Sequence, residues 1–215
     1  MYAFVSGPLV WIAFIVFVGG MIWRFVSLLK LARKDKVVYP YMSLKHSLRS
    51  LVHWVIPFAS KNMRTRYETT IVTFVFHICL VLLPVFLTAH VAMLAFNWGP
   101  YWPTFSQSAA TFMTILVMMA GVFFLVRRWM LPEVRFVTSA SDYLLLAIAA
   151  APFVTGFIAE RQWFDYETML VIHMIAGAVM LIAIPFTRLS HMLFFPFTRA
   201  YMGSEFGAVR NAKDW

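Results

Sequence analysis

Residues 70–96 read TIVTFVFHICLVLLPVFLTAHVAMLAF. The stretch holds no Asp, Glu, Lys or Arg, and it is long enough to cross a bilayer, which takes about 20 mostly apolar residues as a helix. Three residues break its apolar run in an informative way: His77, Pro84 and His90. An ionisable ring in lipid costs free energy, so two of them on one span ask for a function. The proline removes one backbone donor and predicts a kink or local rewinding between the two histidines.

Working outward, four more runs have the same character. The spans fall at about 8–29, 70–96, 109–126, 143–159 and 168–187. The chain therefore reads as an all-α integral membrane protein, one membrane domain over residues 1–215, with five transmembrane helices. Its composition agrees: 62% of residues are hydrophobic, 13% are charged, and the mean hydropathy is +0.78. Soluble domains carry roughly 25% charged residues. The opening Met1–Leu9 lacks a basic leader and runs straight into apolar sequence, so the first segment is expected to be a retained span.

The net charge of +9 would suggest nucleic acid in a soluble chain. Here the cations lie between spans, which favours topology and anionic lipid over nucleic acid. Lys30, Arg33, Lys34, Lys36, Lys45, Arg49, Lys61, Arg64 and Arg66 follow the first span. Arg127, Arg128 and Arg135 follow the third, and Arg188, Arg199, Arg210 and Lys213 follow the fifth. The other connections, Asn97–Gln107 and Glu160–Glu167, hold one arginine between them. The positive-inside rule then places the N-terminus outside and the C-terminus in the cytoplasm of a multi-pass membrane protein. Trp98, Tyr101, Trp102, Trp163, Phe164 and Tyr166 form the expected outer aromatic belt. Within the first basic connection, residues 41–58 bring Leu44, Leu48, Leu51, Val52 and Val55 to helical spacing. That segment predicts a cytoplasmic amphipathic helix, on the membrane surface or beneath a partner subunit.

Of six histidines, four lie in or at the edge of spans: His77 and His90 on the second, His173 and His191 on or just after the fifth. Neutral imidazole is a standard axial ligand of haem iron. Two stacked b haems need two histidines on each of two facing helices. The second and fifth spans run in opposite directions, so depth pairs His77 with His191 near the cytoplasm and His90 with His173 near the periplasm. His173 and His191 are eighteen residues apart, five full turns, and would share a face of one helix. His77 and His90 are thirteen apart and would not, unless Pro84 restores the register. Arg66, Arg128 and Arg188 are candidate partners for the propionates of the inner haem, and Trp98 for the outer one. His46 and His53, seven apart on the amphipathic segment, either approach the inner redox centre or decorate a polar surface. The lone Cys79 excludes a disulfide framework and a cysteine-ligated iron–sulfur cluster within this chain, and there is no CxxCH haem-attachment motif.

This pattern resembles the gamma subunit of respiratory nitrate reductase, a di-haem membrane cytochrome b. The resemblance covers the five spans, Phe76-His77-Ile78 on the first ligand helix, and the His173/His191 spacing. The opening Met1-Tyr-Ala-Phe and the long basic connection look closer to the cytochrome b subunits of transmembrane redox complexes of sulfate-reducing bacteria, of the Tmc and Hmc types. The resemblance implies a bacterial inner membrane with the N-terminus periplasmic, two b haems, and electron transfer between a periplasmic multihaem cytochrome c and a cytoplasmic iron–sulfur subunit like heterodisulfide reductase, within an oxidoreductase complex that has other membrane subunits. It also implies reaction with menaquinol or menaquinone as an alternative. Two departures stand out. The His77/His90 spacing is wider than in the nitrate reductase subunit, and Asn97–Gln107 has no lysine where that subunit carries one at its quinol site. A cofactor-free anchor or transporter is the alternative from another class; no internal repeat supports it.

Overall fold

The computed structural model describes residues 1–213 and, at Asn97 and Trp98, the backbone alone. It is helical, with no strand among the described residues. We number eight helices: α1 Val10–Ala32, α2 Leu44–Val55, α3 Tyr67–Phe86, α4 Thr88–Trp98, α5 Gln107–Met130, α6 Ala140–Glu160, α7 Tyr166–Phe186 and α8 His191–Ser204. Five helical runs are long and apolar enough to span a membrane: Tyr2–Ala32, Tyr67–Phe96, Gln107–Met130, Ala140–Glu160 and Tyr166–Phe186. The five-span membrane fold read from the sequence is therefore the fold observed. Ile15, Val18 and Ile22 on α1 and Phe112, Met119 and Val122 on α5 lie mostly exposed. Such surfaces would aggregate in water and are at home against lipid.

The chain divides into two compact units, Met1–Gly7 with Ile71–Met180, and Pro8–Thr70 with the chain from Leu181 onward. The first unit contains most of α3, all of α4, α5 and α6, and the first part of α7. Phe76, Cys79 and Leu83 pack with Ala110, Val117, Ala120 and Phe153 as its core. The small residues let α5 and α6 approach closely, the usual device where lipid supplies no hydrophobic drive between helices. Ser106 caps α5 through the Ala109 N–H, and Arg127 and Arg128 sit in its last turn, where cations oppose the helix dipole. Ser139 and Asp142 form a capping box at the start of α6.

The second span is not one helix. Pro84 lies inside α3, and three residues later Leu87 is extended (φ −72°, ψ 128°), so α4 starts afresh at Thr88. This is the distortion expected of Pro84, made as a break. It removes the helical donors to the carbonyls of Pro84, Val85 and Phe86. All three find new ones: His90 Nδ1 at 3.1 Å, Trp102 Nε1 at 2.8 Å and the Phe105 N–H at 2.9 Å. In lipid, backbone acceptors left open cost several kcal/mol, so this re-satisfaction is what permits the break. Gly99 ends α4 at φ +87°, a left-handed turn that suits glycine.

The second unit pairs α2 with α8. Ser47 Oγ donates to the Ala200 carbonyl at 2.9 Å and lies 2.9 Å from Ser204 Oγ; Arg199 Nη2 donates to Ser50 Oγ at 3.1 Å. The guanidinium also lies 4.3 Å from the centre of the Trp54 ring. Gly203 brings the helices together: a Cβ there would meet Ser50 Cβ at 2.5 Å and the His46 carbonyl at 2.7 Å. The sequence predicted an amphipathic helix over 41–58, and α2 occupies the middle of that range. Its buried face is the serine face, and Leu44 and Leu48 are exposed while Leu51 is half-buried. In the same unit the Tyr201 hydroxyl donates to Asp35, which also accepts from the N–H groups of Val37 and Val38.

The fifth span departs from the sequence reading. It ends at Phe186. Thr187 is extended (φ −127°, ψ −178°), Arg188–Ser190 makes a single 3₁₀ turn, and His191 opens α8. The five-turn argument that set His173 and His191 on one face of one helix therefore fails, because the helix is broken between them. Pro185 withdraws the donor to the Leu181 carbonyl and so weakens the last turn of α7. Its own carbonyl accepts from Arg24 Nη1 at 3.1 Å, and Gly20 leaves room for its ring, since a Cβ there would lie 2.7 Å from Pro185 Cβ.

Candidate functional site

His90 and His173 are brought together in the first unit, their ring centres 6.0 Å apart and their planes within 18° of parallel. Each ring is fixed from behind. His90 Nδ1 donates to the Pro84 carbonyl at 3.1 Å, the acceptor freed by the Leu87 break. His173 Nδ1 donates to the Pro152 carbonyl of α6 at 2.9 Å, with Thr155 Oγ1 at 3.4 Å. A carbonyl oxygen only accepts, so Nδ1 carries the proton in both rings. The lone-pair nitrogen is then Nε2 in both. Gly156 seats the second ring: a Cβ at that position would stand 2.9 Å from His173 Cε1 and 3.0 Å from Nδ1.

This arrangement can hold one metal centre between two neutral imidazoles. Ring centres 6.0 Å apart leave room for one metal ion between the imidazoles, a metal–nitrogen bond being about 2 Å. Among the described residues no group of three or more His, Cys, Asp or Glu side chains converges as a metal site. A two-histidine site suits a metal that brings its remaining donors in a macrocycle, which is haem. The donor set therefore fits that group.

A cavity of about 300 Å³ adjoins the pair, lined by His90, His173, Leu83, Phe153, Leu170 and Tyr166 among others. Its polar side is a clamp. Gln107 Nε2 and Thr111 Oγ1 both donate to Glu160 Oε1 at 2.8 Å. Apolar walls with a few convergent polar groups are the usual character of a small-molecule site.

The other residues singled out from sequence divide between the units. His77, in the first unit, is exposed and donates from Nδ1 to the Thr73 carbonyl at 2.7 Å. Its neighbour Phe76 packs edge-on against Phe124, and Arg128 Nη1 donates to the Phe124 carbonyl. His191, in the second unit, donates from Nδ1 to the Arg188 carbonyl at 2.8 Å, so both residues sit in one turn. Arg66, also in the second unit, closes the short helix Lys61–Thr65. All four span or span-edge histidines thus present Nε2 as the lone-pair nitrogen. His53 has the same habit toward the Arg49 carbonyl, whereas His46 meets Ser43 Oγ. The Trp98 side chain lies outside the described residues. Sequence reasoning missed Pro152, Gly156, Gln107 and Thr111. A proline and a glycine four residues apart on one span were the available signal for the seat of His173.

The chain is 37% identical over 215 residues to a protein of Nitratidesulfovibrio vulgaris (strain Hildenborough), an alignment that covers 98% of this chain and 95% of the relative. It belongs to the same family as that protein. No protein-family model matches it.

Proposed function

We propose that this chain is the membrane cytochrome b subunit of a bacterial respiratory redox complex. In this reading His90 and His173 would hold one b haem and, by the sequence pairing, His77 and His191 a second. Arg66, Arg128 and Arg188 are the cations offered to propionates. Bound haem supplies one-electron redox chemistry, and the chain supplies ligation and orientation. The observation that carries the reading is the His90/His173 pair: 6.0 Å between ring centres, with each Nδ1 already committed to a proline carbonyl. These carbonyls fix the tautomer and would raise the basicity of a ligating Nε2, as they do at metal-bound histidines.

The basic connections support an orientation with the N-terminus in the periplasm and the C-terminus in the cytoplasm of the inner membrane. Electrons would then pass between a periplasmic multihaem cytochrome c and a cytoplasmic iron–sulfur subunit. The test is a reduced-minus-oxidised spectrum of the purified protein, with haem content by pyridine haemochrome. The expected content is two b haems per chain, falling to one in His173→Ala and in His90→Ala. A preparation with no b-type band, or a His173→Ala variant with unchanged haem content, sinks the proposal.

One observation favours a second reading, menaquinol or menaquinone chemistry beside His90 and His173. Glu160 lines the cavity with one carboxylate oxygen held by Gln107 and Thr111, placed to exchange a proton with a bound head group. Glu160→Gln separates the readings. Quinone chemistry predicts loss of quinol-driven haem reduction with the dithionite-reduced spectrum intact; simple transfer predicts that neither changes.

A further inference from the structure

Helix α2 has three sectors on a 3.6-residue period. Ser47, Ser50 and Trp54 occupy one and engage α8 and its Arg199. Lys45 is exposed on the opposite flank, whereas the Arg49 guanidinium folds back against Gly207. Leu44, Leu48, Val52 and Val55 form the third, 74%, 52%, 52% and 58% exposed. A helix that spends its small polar residues on its protein neighbour and turns its leucines outward is not packed as a soluble surface helix would be.

Chain topology narrows what covers that strip. Residues 33–66 connect two consecutive spans, Tyr2–Ala32 and Tyr67–Phe96, so they start and finish at one membrane surface. From Lys30 to Arg66 the chain carries nine lysines and arginines against one acid, Asp35, and that acid is engaged by Tyr201. We propose that the Leu44/Leu48/Val52/Val55 strip of α2 beds into the acyl boundary of an anionic phospholipid surface. Lys45, exposed on the adjoining flank, reaches its phosphate groups. Apolar burial and cationic attraction act together in such interfacial helices. This anchors the α2–α8 pair to the bilayer through lipid rather than through a protein subunit. It is independent of what the histidines bind.

The test uses the full-length protein in vesicles. Nitroxide labels are placed singly at Leu48→Cys, Val52→Cys and Lys45→Cys in a Cys79→Ala background, and helical content is checked by circular dichroism. Accessibility to oxygen, which partitions into lipid, is compared with that to a water-soluble nickel chelate. In phosphatidylglycerol-containing vesicles the labels at positions 48 and 52 are expected to be several-fold more accessible to oxygen and several-fold less to the chelate than the label at 45. In purely zwitterionic vesicles the contrast shrinks. Positions 48 and 52 open to the chelate in anionic vesicles overturn the proposal. So does protection from both agents, which marks a protein occupant, with dipolar broadening identifying a second copy. An equal contrast in the two lipids also overturns it, because the headgroup charge then plays no part.

Discussion

Gly156→Ala tests the seat of His173 most directly. The new Cβ would lie 2.9 Å from His173 Cε1 and 3.0 Å from Nδ1. Carbon contacts relax to about 3.5–4.0 Å, so the ring must retreat by roughly 0.7 Å. Its Nδ1–H bond to the Pro152 carbonyl, now 2.9 Å, would stretch beyond hydrogen-bonding range. Losing a bond of this kind inside a membrane protein costs about 0.6–1.7 kcal/mol. Holding the ring in place instead costs about 1–3 kcal/mol in overpacking. Against either stands a gain of up to about 1 kcal/mol from replacing glycine within a helix. The net effect of the single substitution is therefore modest, and the informative quantity is a coupling. In a His173→Ala background the added methyl group meets open space, so Gly156→Ala should become neutral or stabilising. A double-mutant cycle, read from reversible unfolding of α6 and α7 packing in mixed detergent–dodecyl sulfate micelles, should give about 1–3 kcal/mol of coupling. The helix-propensity contribution cancels in the cycle. Coupling within about 0.5 kcal/mol of zero would refute the seat.

Trp102→Phe removes the donor to the Val85 carbonyl and should destabilise the same unit by about 1 kcal/mol, measured by the same titration, while leaving haem content unchanged. Gly203→Ala should be far worse than Gly121→Ala. The first Cβ runs into the Ser50 Cβ and a backbone carbonyl that cannot swing aside, whereas the second meets nothing within 4 Å. Limited proteolysis within residues 33–66 should accelerate only in Gly203→Ala. The Tyr201–Asp35 contact predicts a pH signature at both ends of the scale. Burial, with the Asp35 carboxylate adding to it, pushes the Tyr201 hydroxyl up to about 12. A raised value contributes stability that is complete below the unfolded value of about 10 and is lost as pH climbs through the folded one. The Tyr201 hydroxyl and two backbone N–H groups hold Asp35 below its usual range, so its contribution is present above about pH 4 and is lost as pH falls through the depressed value. Phenolate absorbance should show one late-titrating tyrosine that Tyr201→Phe removes, and equal alkaline titrations of the two proteins would contradict the contact.

The five spans were legible because hydropathy over about twenty residues survives ignorance of every contact. Pro84 announced a distortion for a similarly local reason, since a missing N–H is written in the residue itself. Where the break falls was not written there. Leu87 can be extended because Trp102 and Phe105, well along the chain, return to the open carbonyls. The same limit explains His191. Eighteen residues is five turns only if the helix continues, and Pro185 was too near the span end to declare whether it did. On α2 the leucine period was visible, but Ser47 and Ser50 read as solvent-facing. They are buried because glycine and serine on α8 let two backbones meet there. His173 could be singled out by its depth in lipid, whereas Pro152 and Gly156, which hold it, sit on a different helix, and no one-dimensional period links them.

A common physical origin ties the breaks to the site. In lipid each interrupted backbone acceptor must be supplied with another donor. The breaks after Pro84 and Pro185 leave those carbonyls to His90 and Arg24, while the carbonyl of Pro152, within the unbroken α6, accepts from His173. Two of those three donors are the paired histidines. In both paired histidines a proline carbonyl thus fixes which imidazole nitrogen keeps its lone pair. Under the proposed function, replacing His173 with alanine deletes a haem ligand and a helix-to-helix hydrogen bond together. Haem loss in that variant therefore speaks to ligation only when read beside the Gly156 coupling, which probes the hydrogen-bonded seat without removing the ring. A seat that couples strongly while haem content stays at two per chain would mean that His173 serves packing alone. A strong coupling together with loss of one haem would place both roles on the same imidazole.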